Sequence, residues 1–321
     1  MVGRKVFSIP ILLLSLLLML FSGCSTSPAA PDGDDTKITV YTSFYTMYDF
    51  TLKISGGKVD VVNMVPSGME PHNWEPSPRD IAGLSHADLF IYNGAGMEGW
   101  AEKVLASINN PKLLAIETSK DIKLNKAPHE PDHDEESKDT TRHSHDDLEY
   151  DPHVWLYPLN AKKQMEAIRD GLIQVDPQNS RFYQENFRVY AEKLDALDQA
   201  YQAAAATFTK KEIVVSHQAF GYLCDAYGLK QMAIEGLSSE FEPTPAKMAK
   251  IIDFVNEHDV RVIFFEELTS PKVAEEIARE TGVTTALLNP LGGLAQESLD
   301  AGKEYFSVME ENLEALKQAL K

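Results

Sequence analysis

Residues 179–208, NSRFYQENFRVYAEKLDALDQAYQAAAATF, decide how the rest of the chain is divided. From Tyr183 the large apolar and aromatic residues fall at Phe187, Tyr190, Leu194, Leu197 and Tyr201, at spacings that put them on one face of a helix running to Phe208. Roughly 30 residues at about 1.5 Å each make a rod about 45 Å long, enough to join two lobes as a spine. Short β-branched runs alternate with helical stretches on both sides of it.

Before the rod, strands are predicted at Lys37–Thr42, Val59–Val65, Ala87–Asn93 and Lys112–Thr118. Helices are predicted up to about Ser55, from Ser77 with Pro78 at its first position, from Glu98, and over Asn160–Val175. After it the alternation restarts with strands at Glu212–Ser216, Lys230–Ile234, Val260–Phe265 and Thr284–Leu288. Helices are predicted over Phe220–Tyr227, Pro245–His258, Pro271–Thr281 and Asp300–Lys321. Alternation of this kind implies parallel sheets covered by helices. The expected fold is therefore α/β, with two (β/α) lobes, 37–175 and 210–321, joined by a long rigid helix within 176–209. The halves repeat a pattern, not a sequence.

The N-terminus reads as export signal rather than fold. Arg4 and Lys5 precede an apolar run, Val6–Phe21, too short to span a bilayer and suited to a signal peptide over residues 1–23. Phe21-Ser22-Gly23-Cys24 is similar to the lipobox of bacterial lipoproteins, except that leucine is usual where Phe21 stands. The resemblance implies lipidation of Cys24, a tether over residues 24–36, and a location at the outer face of the cytoplasmic membrane. Ordinary cleavage and free secretion is the alternative.

Formal net charge is −19, and loss of residues 1–23 leaves 28 basic against 49 acidic residues. That argues against nucleic acid and for solubility or cation handling. With Cys24 modified, Cys224 has no partner for an internal disulfide and reads as a small buried hydrophobe.

Histidines carry the chemistry. Residues 127–149 form an acidic segment with His129, His133, His143 and His145 and almost no apolar residue. It reads either as a loose metal-collecting loop or as a solvated linker. His153, in Asp151-Pro152-His153-Val154-Trp155, has a proline-fixed, apolar setting. His72 follows the Val59–Val65 strand, and His217 follows Ile213–Ser216. In open parallel sheets, ligands bind beyond the carboxyl ends of strands. Three neutral imidazoles plus an oxygen suit tetrahedral zinc, whereas carboxylate-rich sites suit manganese or magnesium. His86 and His258 lie in helical patterns and are read as packing or capping residues.

Pro71-His72-x-x-Glu75-Pro76, Asp151-Pro152-His153-Val154-Trp155, Ser216-His217-x-Ala219-Phe220-x-Tyr222, Glu242-Pro-Thr-Pro245 and Ile263-Phe-Phe-Glu266 occur in this order. The set resembles the metal-binding lipoproteins of bacterial ABC importers, the zinc and manganese uptake family, and within it the zinc branch. That resemblance implies one metal in the inter-lobe cleft, held by His72, His153 and His217 and passed to a membrane permease and its ATPase. A monomer is expected. The fourth ligand of the family lies in the last strand-end loop, here Leu288-Asn289-Pro290-Leu291-Gly292-Gly293. Asn289 stands where many relatives have aspartate, and glycine where others have glutamate. Water, Asn289 and a shifted carboxylate such as Glu266 are open alternatives, and Glu266 reads equally as a buried ion-pair partner.

Rival functions are a manganese carrier, a zinc hydrolase with Glu266 as base, and a surface adhesin. No HExxH pair supports hydrolysis. Metal affinity is expected to fall below about pH 6.5, the reference histidine pKa.

Overall fold

The computed structural model describes residues 37–127, 148–237 and 243–321, together with Gly3. Cys24, the signal-peptide and tether segments, and His129, His133, His143 and His145 lie outside the described residues. Among the described residues, no helix is long and apolar enough to cross a membrane.

The first half runs β1 (Thr39–Thr42), α1 (Tyr45–Ser55), β2 (Asp60–Asn63), α2 (Pro78–Leu84), β3 (Leu89–Tyr92), α3 (Ala101–Ser107), β4 (Leu114–Glu117) and α4 (Pro158–Val175). The helix α5 (Ser180–Ala205) leads to the second half. That half runs β5 (Glu212–Val215), α6 (Gly221–Tyr227), β6 (Lys230–Ala233), α7 (Pro245–Glu257), β7 (Val262–Phe265), α8 (Lys272–Thr281), β8 (Thr284–Leu287), α9 (Gln296–Asp300) and α10 (Tyr305–Leu320). Both sheets have four parallel strands, ordered β2-β1-β3-β4 and β6-β5-β7-β8. The two-lobed α/β architecture expected from the alternation is thus the observed one.

Local chemistry explains the element ends. Ser77 accepts the Asp80 N–H while the Asp80 carboxylate accepts the Ser77 N–H, a reciprocal cap that starts α2. Gly56, Gly228 and Gly282 end α1, α6 and α8 in the left-handed region, where a side chain is strained. The closing helix expected from Asp300 is present but starts later, at Tyr305: Gly302 takes a φ of 78°, and Glu304 and Ser307 form the cap that starts α10. Apolar spacing alone did not register that late start.

The face of α5 predicted from its spacing is the buried one. Tyr183, Leu194, Leu197 and Tyr201 are buried, and Phe187 and Tyr190 pack at the margin. Polar anchors fix the rod at several heights. Tyr183 Oη donates to Asp176, Asn186 Nδ2 to the Ile54 carbonyl, and Tyr201 Oη to the Met309 carbonyl. Tyr227 Oη, from the second half, donates to Asp198 at 2.9 Å.

One hydrophobic core runs through both lobes, from Val40, Phe50 and Phe90 through Trp155 and Leu194 to Phe220, Leu291 and Leu316. A second, smaller cluster, including Val214, Ile251, Ile263 and Ile277, lies between the second sheet and α7 and α8. Inter-lobe hydrogen bonds reinforce the shared core. Trp155 Nε1 donates to the Pro290 carbonyl at 2.7 Å, and Thr46 Oγ1 donates to the Leu291 carbonyl. A close-packed shared core resists wide hinge opening, because rotation would expose apolar area worth about 25 cal/mol per Å². Cys224 is part of this core and unpaired.

Candidate metal centre

Three imidazoles converge between the lobes. His72 comes from the loop between β2 and α2, His153 from the segment before a 3-10 turn at Val154–Leu156, and His217 from the carboxyl end of β5. The Nε2 atoms of His72 and His153 lie 3.0 Å apart, and those of His153 and His217 lie 3.3 Å apart. One ring nitrogen from each of the three lies within 4.8 Å of the other two, and His72, His153 and His217 form the one such metal-competent group among the described residues. His153 and His217 are buried and His72 is half-buried, which leaves the cleft accessible on the His72 side.

Carboxylates aim two of the rings. Asp151 Oδ1 accepts both the backbone N–H of His153 and, at 2.9 Å, its Nδ1–H. Glu266 Oε1 accepts the backbone N–H of His217 and, at 2.6 Å, its Nδ1–H. Committing Nδ1 to a carboxylate sets the tautomer, raises ring basicity and leaves Nε2 to face the centre, as is usual for metal-ligating histidine. The second sheet reverses its strand order between β5 and β7. His217 lies two residues beyond β5 and Glu266 immediately follows β7, where open α/β sheets place their ligands.

Protonation differs among the rings. Burial, and then repulsion from the neighbouring imidazoles, holds His72 and His153 well below the ordinary histidine value. Burial also opposes charge on His217, but the adjacent Glu266 carboxylate overrides it and pushes the ring up to about 9. Burial raises the Asp151 carboxyl to about 7. In the absence of metal the Glu266 carboxylate thus favours a proton on His217, whose Nε2 lies 3.3 Å from that of His153. This revises the expectation of a fall in affinity starting at pH 6.5. Glu266 retains a proton on His217 to a higher pH, while His72 and His153 stay neutral to a lower one.

Neither protein oxygen considered for the fourth position joins the three nitrogens. Asn289 Oδ1 accepts the Leu291 N–H at 2.8 Å, and its Nδ2 donates to Glu267, so its amide holds its own loop together. Glu266 spends Oε1 on His217 from behind the ring, the ion-pair alternative in the sequence reading.

Two carboxylates that sequence reasoning passed over approach this region. Glu70 shares a crevice with Glu266, Asn289 and Gly292, and burial raises its pKa. A Cβ built on Gly292 would lie 3.1 Å from Pro71 and 3.9 Å from Glu70 Oε1, so the glycine loop leaves room beside the Glu70 carboxylate. Burial pushes Glu235, beyond β6, to about 7, and His217 pulls it back. The position of Glu70 two residues before His72 was the available signal. Asp151 was likewise quoted in a motif without a role.

The two other histidines among the described residues sit apart from the site. His86 Nδ1 lies 2.8 Å from the Ala82 carbonyl, and His258 ends α7 with its ring against Phe254.

A family model described as zinc-uptake complex component A, periplasmic, matches residues 40–319. The chain is 41% identical over 304 residues to the high-affinity zinc uptake system protein ZnuA of Bacillus subtilis, covering 95% of this chain and 94% of that protein. It is 38% identical over 310 residues to the zinc-binding lipoprotein AdcA of Streptococcus pneumoniae, covering 97% of this chain and 60% of that longer protein. The crystal structure of the Zn(II)-bound ZnuA-like domain of Streptococcus pneumoniae AdcA superposes with a TM-score of 0.75 at 38% identity, covering 88% of this chain and 99% of that one. A match over residues 40–319, with the fold and the histidine cluster described above, means that this chain belongs to the family of the periplasmic zinc-uptake component A.

Proposed function

We propose that this protein is an extracytoplasmic solute-binding lipoprotein. It captures Zn²⁺ with Nε2 of His72, His153 and His217 and delivers it to a membrane permease powered by an ATPase. The observation that carries this reading is the convergence of three Nε2 atoms, two of them aimed by carboxylates, in a cleft between lobes. Imidazole nitrogen favours zinc over the oxygen-preferring manganese. The relatives are named for zinc uptake and zinc binding rather than for an enzymatic reaction, which supports transport over hydrolysis.

Capture and release follow from the arrangement. His72 and His153 stand neutral and ready, and the ion displaces the proton on His217. Donors from both halves let the cargo tie the cleft together. The fourth position is taken by Glu70 or by water, Glu70 lining the crevice beside Glu266 and Asn289. Cys24 carries the lipid anchor, lobes 37–175 and 210–321 flank the 176–209 link, and His129, His133, His143 and His145 in the acidic segment collect ions.

The test is metal content and competition titration of the purified protein beside His72→Ala, His153→Ala and His217→Ala. Each variant is expected to lose zinc affinity by at least a hundredfold. Stoichiometric, tight zinc in all three would overturn the ligand set.

A further inference from the structure

Asn93 immediately follows β3 in the first sheet, as Glu266 immediately follows β7 in the second. The two sheets share one strand order, so these residues occupy equivalent places at the point where that order reverses. Glu266 holds a site histidine there. Asn93 is fully buried, and its Nδ2 donates at 3.0 Å to the carbonyl of Pro152, the residue between Asp151 and His153.

The amide is itself held in one orientation. Gln164 Nε2, from α4 and fully buried, donates to Asn93 Oδ1 at 2.8 Å and to Thr118 Oγ1 at 3.0 Å. Asn93 N–H and Gly94 N–H both donate to the buried Glu98 carboxylate, which locks the turn that carries the amide. With Oδ1 occupied by a donor, Nδ2 has to face Pro152. Pro152 has no N–H, so its carbonyl is the handle by which the sheet can grip this residue. Asp151 then orients the ring of a histidine whose backbone is already placed.

We infer that Asn93, oriented by Gln164, is a positioning residue for metal binding: it fixes His153 through the Pro152 carbonyl, as Glu266 fixes His217 directly. The inference rests on His153 being a zinc ligand. It adds that ligand geometry in the first half is set by the end of β3 and by α4, outside the residues that touch the ion.

The experiment compares wild type with Asn93→Ala, the near-isosteric Gln164→Met and the double variant. The readouts are the visible spectrum of the cobalt-loaded protein, the zinc dissociation rate, and the thermal midpoint of the metal-free protein. Removing the hydrogen-bond partner of a ligating ring costs about 10- to 100-fold in metal affinity, and Asn93, which acts one step further out, is expected to cost near the lower end. Both single variants are expected to shift the cobalt ligand-field bands and speed zinc release about tenfold. The double variant is expected to be no worse than Asn93→Ala, because Gln164 acts through Asn93. A merely structural role lowers the metal-free midpoint and leaves the cobalt bands and the release rate unchanged, and that result overturns the inference. Should Asn93→Ala fold poorly, Gln164→Met carries the test alone on the same two readouts. A wild-type protein that binds no cobalt or zinc overturns the three-histidine reading and this inference with it. A wild type that binds both beside variants that match it overturns the inference alone.

Discussion

The His217–Glu266 pair is expected to make zinc affinity a function of pH in a range where ordinary histidine sites are flat. With the ring at about 9, neutral His217 is about one part in a hundred at pH 7, so zinc competes with a proton. Two pH units between 7 and the ring's pKa correspond to about 2.7 kcal/mol of lost apparent affinity, at about 1.36 kcal/mol per unit. The dissociation constant is expected to fall about tenfold per pH unit from about 7 to about 9 and then level off, with one proton released per zinc bound. His72 and His153, held low, add no further dependence in that range. Glu266→Gln removes the charge that raises His217. The slope should then vanish above about pH 7, even if weaker ring orientation lowers the plateau about 10- to 100-fold. Competition against a chelator of known pH behaviour gives the slope, and calorimetry in buffers of different ionisation enthalpy counts the protons. A constant affinity between pH 7 and 9 in wild type, or an unaltered slope in Glu266→Gln, would refute the argument.

The remaining expectations concern the ring supports, the shared core and the folded state. Asp151→Asn should weaken zinc about 10- to 100-fold while the fold survives, read by competition titration and circular dichroism. Trp155→Phe leaves the Pro290 carbonyl without its donor and should cost about 1–3 kcal/mol, a fall of several degrees in the thermal midpoint. Leu194→Ala, fully buried on α5, should cost about 2–5 kcal/mol by denaturant titration. Chelation should leave a folded protein, because the core does not depend on the ion. Excess zinc at about a hundred times Kd should add about 2.7 kcal/mol of stability. The metal-free protein binds fewer protons at His72 and His153 when folded than when unfolded. That contribution to stability is present above about pH 6.5 and is lost as pH falls through the lowered values, which acid unfolding of single-histidine variants would measure.

Much of the fold was legible because its signals are local. Strand positions follow from β-branched runs bounded by turns, and the buried face of α5 follows from spacings that geometry alone makes periodic. Ser77 and Pro78 announced α2 by their hydrogen-bonding chemistry. The late start of α10 was missed because it depends on the backbone angle at Gly302 and a cap formed afterwards, neither of which disturbs the apolar spacing. His72, His153 and His217 were legible as candidates because each sits beside proline or a strand end. Of their partners, Glu266 was legible only as one of several alternatives and Asp151 had no role assigned, since a carboxylate looks like any other acidic residue until a ring nitrogen is seen against it.

Sequence by itself determined the alternation of strands and helices, the long amphipathic rod between two such runs, the acidic character, and three histidines in settings that restrict them. These are properties of neighbours along the chain, governed by periodicity, capping and charge. Tertiary structure alone decided that residues 72, 153 and 217 meet, that Glu266 stands behind a ring rather than at the centre, and that Asn289 is committed to its own loop. It also set the order of protonation, because a pKa depends on burial and on charges a few ångströms away, whatever their distance in sequence. The rod at 179–208 could be read from spacing, but the core it shares with both lobes, and hence the rigidity of the cleft, exists only once the two sheets are folded against it.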